Sequence, residues 1–321
     1  MNPVNQGFQV KENAYNYQTI AYTMKKKVFF FAVLITVISC RKDTLDLSDG
    51  TLADIPPVPS TFGQNVIIEQ FTQTTNGQCP LADSLIAYTT SLRPDRIAAV
   101  NIHVSDPYQT SELTDQSSGG NLLNDFFNTS GVIPAGMMNR NQVSAGDLSI
   151  SNYTTRINSM LSQVPRCGIA LDANEIANGY LNLSVHVGFS ADLAGSYRLH
   201  VYLVQNSRTP SDSSVTQSND FSQNGITPLP GTPYYDLPDP IYNYQFPCVL
   251  ERVVSSTMDG EPIPTASAVK GKEFIKDFII DLRGKNIDDY SIIAFVDKYG
   301  TTATGHRIEN GRMVQVGAIA S

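Results

Sequence analysis

The hydrophobic period changes once along this chain, near residue 165, and that change limits the fold more than any other feature. Before it, apolar runs alternate with segments of helical spacing. Val66 to Phe71 is a β-branched run that reads as a buried strand. Pro80 to Leu92 carries Leu81, Leu85 and Ile86 at helical spacing, with Pro80 suited to a first turn. Ile97 to Val104 is apolar nearly throughout, as expected of a parallel strand covered on both faces. Gly120 to Phe127 reads as a helix. Val132-Ile133-Pro134 leads into a short strand, Gly136 to Arg140, and Asn152 to Val164 closes the unit as an amphipathic helix. Alternation of this kind defines an α/β unit.

From residue 166 the period is two. Tyr180, Leu181, Leu183, Val185, Val187 and Phe189 alternate with Asn182, Ser184 and His186; Tyr197, Leu199, Val201 and Leu203 alternate with Arg198, His200 and Tyr202. Asp192 to Gly195 supplies turn residues between them, so the two runs read as a hairpin. His186 and His200 then fall on its outward face, two imidazoles short of the four ligands a structural zinc site takes. Further strand-like runs are Cys248 to Val254, Phe274 to Leu282, Tyr290 to Val296 and Met313 to Ile319. An antiparallel β-sandwich is expected. The fold class is thus α+β in two domains, an α/β domain over 64–165 and a β-sandwich over 166–321.

Within the second domain, the loop 206–247 holds seven prolines together with Tyr234, Tyr235, Tyr242 and Tyr244. A loop of this length in a compact domain is uncommon. Its tyrosines offer area and hydrogen bonds for a binding surface; the bland alternative is an ordered flap packed on one sheet face.

The N-terminal stretch decides the compartment. Lys25, Lys26 and Lys27, then the apolar run Val28 to Ile38, then Val37-Ile38-Ser39-Cys40, read as a bacterial secretion signal ending in a lipobox. Eleven residues at about 1.5 Å each span only about half a hydrocarbon core, which argues against a transmembrane helix. Residues 1–39 form the leader, with Met24 the expected true start, and Cys40 is the lipidation site that ties the chain to a membrane. Residues 40–63, acidic and proline-rich, read as a stalk. The formal net charge is −8, and loss of the lysine-rich leader makes the remainder more acidic still. Such a surface excludes nucleic acid as a partner.

Chemistry points to the junction Glu69-Gln70-Phe71-Thr72-Gln73-Thr74-Thr75-Asn76-Gly77-Gln78-Cys79-Pro80. In a thioredoxin-like domain a Cys-x-x-Cys pair sits here, because a helix N-terminus stabilises a thiolate on the outer cysteine. The outer position is Asn76, which forms no thiolate, and only the inner Cys79 remains, so dithiol exchange is not available. Pro134 has the placement of the cis-proline that faces such a site; a plain turn proline is the alternative. Cys167 and Cys248 are candidates for a sheet-tying disulfide, with buried inert thiols the alternative. No phosphate loop, nucleophile elbow or metalloprotease motif is present, and neither a cofactor nor a metal is expected.

Phe71-Thr72 with Cys79-Pro80, then Ile133-Pro134 and Asn139-Arg140, resemble the outer-membrane lipoprotein family of Bacteroidetes named for a 28-kDa member. So do Cys248-Val249-Leu250-Glu251-Arg252 and Ile292-Ile293-Ala294-Phe295-Val296. The resemblance covers about 64–321 and implies a thioredoxin-like domain paired with a β-sandwich behind a lipoprotein signal. Gln73 stands where the family usually has glycine, and Asn76 where it has cysteine. The resulting expectation is a lipid-anchored outer-membrane protein on the periplasmic or cell-surface face. It would be a non-enzymatic binding or adhesion module with a protein or glycan partner at the envelope. The rival is a monothiol redox or disulfide-handling protein that uses Cys79.

Overall fold

The computed structural model describes residues 58–142 and 150–320. The lipobox, Cys40 and most of the expected stalk lie outside them. Strands β1 (Val66–Thr72) and β2 (Ile97–His103) flank helix α1 (Cys79–Leu92) and run parallel, with Val66 opposite Ile97 and Thr72 opposite His103. Every residue of both strands is buried, which suits the apolar run of β2, while β1 also buries the polar Glu69, Gln70 and Thr72. Pro80 sits in the first turn of α1, where its missing N–H costs nothing. Helix α2 (Leu122–Phe127) begins at Asn121, whose side chain accepts from the backbone N–H groups of Leu123 and Asn124. A cis Ile133–Pro134 bond leads into β3 (Ala135–Met138), antiparallel to β1. Asn139 and Arg140, both with positive φ, turn the chain into β4 (Asn141–Gln142), and α3 (Ile150–Leu161) follows. The order β2-β1-β3-β4 puts α1 and α3 on one face and α2 on the other, a thioredoxin-like arrangement.

The remaining strands are β5 (Cys167–Ala177), β6 (Tyr180–Phe189), β7 (Tyr197–Arg208), β8 (Phe246–Val253), β9 (Glu261–Ile263), β10 (Glu273–Asp281), β11 (Tyr290–Lys298), β12 (Ile308–Gln315) and β13 (Ile319–Ala320). They do not form a sandwich separate from the first unit. β8 pairs in parallel with β2, Val249 opposite Asn101, and carries the thioredoxin-like sheet onward through β7, β11 and β12. The result is one nine-stranded sheet, order β12-β11-β7-β8-β2-β1-β3-β4 with β9 on β7. The expected boundary at 165 is therefore a change of topology inside one body. A four-stranded sheet, β10-β6-β5-β13, packs on the β7–β11 region to make the sandwich.

This layering buries β7 and β11 on both sides. Leu199, Val201, Leu203, Ile292, Ala294 and Val296 meet Leu181, Leu183, Val185, Val187 and Phe189 of the four-stranded sheet. Tyr202, Val204, Ile293 and Phe295 on the reverse face share a core with Phe71, Val100, Ile102 and Phe127. The large sheet curls so far that β12 returns to β1. The Asn65 amide N–H donates to Asn310 Oδ1 at 2.9 Å, and Gly311 leaves its Cβ position to the Ile67 side chain.

Three expectations are corrected here. β6 and β7 belong to different sheets and form no hairpin; the hairpin is β5–β6, closed by Asn178-Gly179, both at positive φ. His186 and His200 consequently never meet. His186 pairs with Glu273 at 2.8 Å on the outer face, while His200 is fully buried against Asp297 at 3.0 Å. Cys167 and Cys248 are free thiols that lie in cores on opposite faces of the large sheet, so no disulfide joins them.

Candidate functional site

The site is the N-terminal end of α1. A helix start carries unpaired N–H groups and a positive dipole end, so it favours a thiolate on an exposed cysteine. Cys79 does not benefit. Its side chain is fully buried, and burial pushes the thiol up to about 12; hydrogen bonds from the Thr72 side chain and the Gln73 backbone pull down without compensating. Asp83, one turn along the helix, raises it further.

Asn76 acts as a brace. Its Nδ2 donates to the carbonyl of Ile133 at 2.7 Å, and its Oδ1 accepts from the Gln78 N–H at 3.0 Å. Its own carbonyl accepts the Cys79 N–H at 3.2 Å. The amide thus ties the helix start to the cis-Pro134 segment through a strong N–H donor, where a thiol would offer only a weak one.

The long loop closes over this point. It runs from residue 209 to 245, between β7 and β8, and forms a strap across α1 rather than a flap on a sheet face. The Ser218 N–H donates to Thr74 O at 2.9 Å, and the Asp220 N–H donates to Gly77 O at 3.0 Å. Gln217 Nε2 donates to Asn76 O at 2.9 Å. Gly77 is required by this approach, since a Cβ there would lie 2.1 Å from Asp220 Oδ1. Phe221, Tyr234 and Ile241 of the strap pack with Leu81 of the helix. Of the four tyrosines proposed as a contact surface, Tyr234 and Tyr244 face inward and Tyr235 is half-buried; Tyr242 is 62 % exposed.

The inward tyrosines end on a carboxyl. Tyr234 OH lies 2.5 Å from Ser84 Oγ, and Tyr244 OH donates to Asp83 Oδ2 at 2.9 Å. Asp83 Oδ1 accepts from Gln70 Nε2 and Asn101 Nδ2, both at 2.9 Å. Burial pushes the Asp83 carboxyl up to about 7 against the pull of these three hydrogen bonds. Nearby, Asp106 accepts from the Thr74 and Tyr108 N–H groups and holds His103 Nδ1 at 2.7 Å. The opposite ring nitrogen of His103, the Tyr108 hydroxyl and Asn101 Oδ1 are buried without a hydrogen-bond partner.

A second buried polar group joins the two halves of the sheet. Arg140 donates to Glu69 Oε2 at 3.1 Å and Asp297 Oδ2 at 2.6 Å, between the rings of Phe127 and Phe295 at 4.8 and 4.9 Å. His200 and His306 both bind Asp297 at 3.0 Å. Burial alone would raise the Asp297 carboxyl, but His200 and Arg140 outweigh it and hold the group well below the usual range. Burial lowers the His200 imidazole more than Asp297 restores it. Among the described residues no group of His, Cys, Asp or Glu is arranged to hold a metal ion. No described helix is long and apolar enough to cross a membrane.

Sequence reasoning singled out Asn76, Cys79 and Pro134, and the structure sets Asn76 and Cys79 at the start of α1 beside the Ile133-Pro134 segment. It missed Asp83, Gln217 and the Glu69–Arg140–Asp297 group. A polar Asp83 within an otherwise apolar helix face was the available signal for the first; nothing local marks the others.

No protein-family model matches the chain, and comparison with curated proteins gives no match. Among solved structures, HBP35 of Porphyromonas gingivalis is similar over 80 % of this chain and 76 % of its own, with 16 % identity and a TM-score of 0.57. That likeness supports the fold. Protein AGR_C_4864 from Agrobacterium tumefaciens is 11 % identical over 80 % of this chain and 96 % of its own, TM-score 0.48. A domain of the outer membrane lipoprotein Omp28 from P. gingivalis is 13 % identical over 48 % of this chain and 90 % of its own, TM-score 0.26. The last two superpositions are too loose to carry an argument.

Proposed function

We propose that this is a lipid-anchored envelope protein of the Bacteroidetes outer-membrane type, held to the membrane through Cys40. In this reading its thioredoxin-like part is a catalytically silent scaffold for a binding or adhesion module. The observation that carries it is the state of the helix start. The one sulfur present is buried and poorly ionised, the outer position is an amide committed to the cis-proline segment, and the strap hydrogen-bonds to the backbone of Thr74, Asn76 and Gly77 beside them. Thiol chemistry needs an exposed sulfur with appreciable thiolate. The sandwich and strap supply the outward surface for a protein or glycan partner. The lipobox and the acidic composition support the envelope placement.

Two measurements test the reading. Metabolic labelling with a tritiated fatty acid should mark the wild-type chain and not the Cys40→Ser variant. Purified protein should fail to reduce insulin disulfides with dithiothreitol or thioredoxin reductase present. Insulin reduction that disappears in Cys79→Ser would replace the silent scaffold with a monothiol enzyme.

A further inference from the structure

Among the contacts that fasten the strap to the body is a carboxyl that has no cation to balance it. Asp83 is 3 % exposed, and the groups facing it from every element packed around it are neutral. Gln70 comes from β1, Asn101 from β2 and Tyr244 from the strap; Cys79 lies on its own helix, and Cys248 of β8 is near enough to feel its charge. Burial raises Cys248 to about 11 and holds the Tyr244 phenol well above its ordinary value. Neither can neutralise a carboxylate. The three hydrogen bonds favour the ionised form and burial outweighs them, but the same contacts also accommodate the neutral acid. Oδ1 is filled by two amide donors, and a protonated Oδ2 can donate to Tyr244 OH, with Tyr234 and Ser84 continuing the chain of hydroxyls. An ionised carboxyl at the same place is a buried charge without a partner, which is costly.

We propose that segment 209–245 is a pH-sensitive latch, closed by the neutral Asp83 carboxyl and released when that carboxyl ionises, so that the N-terminal end of α1 and the surface around Asn76 and Pro134 become accessible. This goes beyond the binding-module reading and does not depend on it. Release of Tyr244 lets water reach Asp83, whose carboxyl then returns to its ordinary range near 4. The closed state therefore binds the proton more tightly than the open one. Closure is fully favoured in acid, weakens as pH rises from about 4 through 7, and levels off above that. From these two values the open fraction should rise roughly 80-fold between pH 5 and pH 8.

Hydrogen exchange of the full chain tests this, with each peptide's rate divided by its unstructured rate at the same pH. Peptides covering 214–244 should speed up between ten- and a hundred-fold from pH 5 to pH 8, while β11 peptides keep their protection. Asp83→Asn copies the neutral acid, with Nδ2 donating to Tyr244. Its strap should exchange at the slow, pH 5 rate at both values. Tyr244→Phe removes the hydroxyl link and should give a fast strap at pH 5 already. A strap whose normalised rate is the same at both pH values in the wild type would overturn the latch. So would an acceleration that Asp83→Asn retains, or one shared equally by β11. Should Asp83→Asn fail to fold, the wild-type profile and Tyr244→Phe decide the question alone.

Discussion

Removing the Arg140 guanidinium should be among the most damaging single changes in the molecule. Its side chain is about 1 % exposed, as are those of Glu69 and Asp297, and it holds them at 3.1 and 2.6 Å. Arg140→Met keeps most of the apolar stem but strands two carboxylates with no cation between them. Breaking a buried pair from one side costs about 3–5 kcal/mol, and here one cation serves two anions. In a body of this size that corresponds to a fall in Tm of about 6–20 °C. Urea denaturation followed by circular dichroism would read it as a shift in midpoint at constant m. Arg140→Met/Glu69→Gln/Asp297→Asn should recover part of the loss, because the charges that were stranded are gone. Asp297 adds a pH signature. Its folded value is depressed, so its contribution is present above the ordinary carboxyl range and is lost as pH falls through about 4 and below. Arg140→Met should flatten that acid limb. A loss under about 1 kcal/mol for Arg140→Met would mean that water reaches the carboxylates, and the argument for a sealed polar centre would fail.

Three further outcomes are expected. Gly77→Ala drives a methyl into Asp220, so it should cost about 1–3 kcal/mol and accelerate exchange in the strap before the rest of the body. Native Cys79 should react with a maleimide at pH 7 about 10³-fold more slowly than an unstructured cysteine, since its thiol is raised from 9.0 to about 12; mass mapping of the labelled peptide gives the rate. Gly168→Val should dislodge the Phe62 ring, which lies 2.0 Å from where a Cβ would be, and so open a chymotrypsin site after Phe62 without changing the unfolding midpoint by more than about 1 kcal/mol.

The thioredoxin-like half was legible because its signals are local. β1, α1 and β2 each announce themselves by composition, and Pro80, Asn76 and Pro134 sit at positions that backbone chemistry dictates. The hairpin β5–β6 went unread: its turn signal, Asn178-Gly179, was present, but the turn residues at 192–195 drew the pairing to β6–β7 instead. Those residues bridge two sheets, with Leu193 buried between them, and a turn does not say which sheet the next strand joins. The joining of β8 to β2 was not readable at all. It rests on a parallel contact between residues about 150 positions apart in sequence, and no local pattern encodes such a partner. Asp83 escaped for a similar reason. Its place on an apolar helix face marks it as unusual, but the partner that gives it a role, Tyr244, lies 161 positions away in the strap.

The bond between Arg140 and Asp297 spans 157 positions. Until the last quarter of the chain has emerged, the earlier portion holds an arginine with half its counter-charge missing and an open β2 edge. Closing so long a loop is slow and is rewarded only at the end. The polar centre that joins the two halves of the large sheet is therefore completed late, only once both distant partners are present.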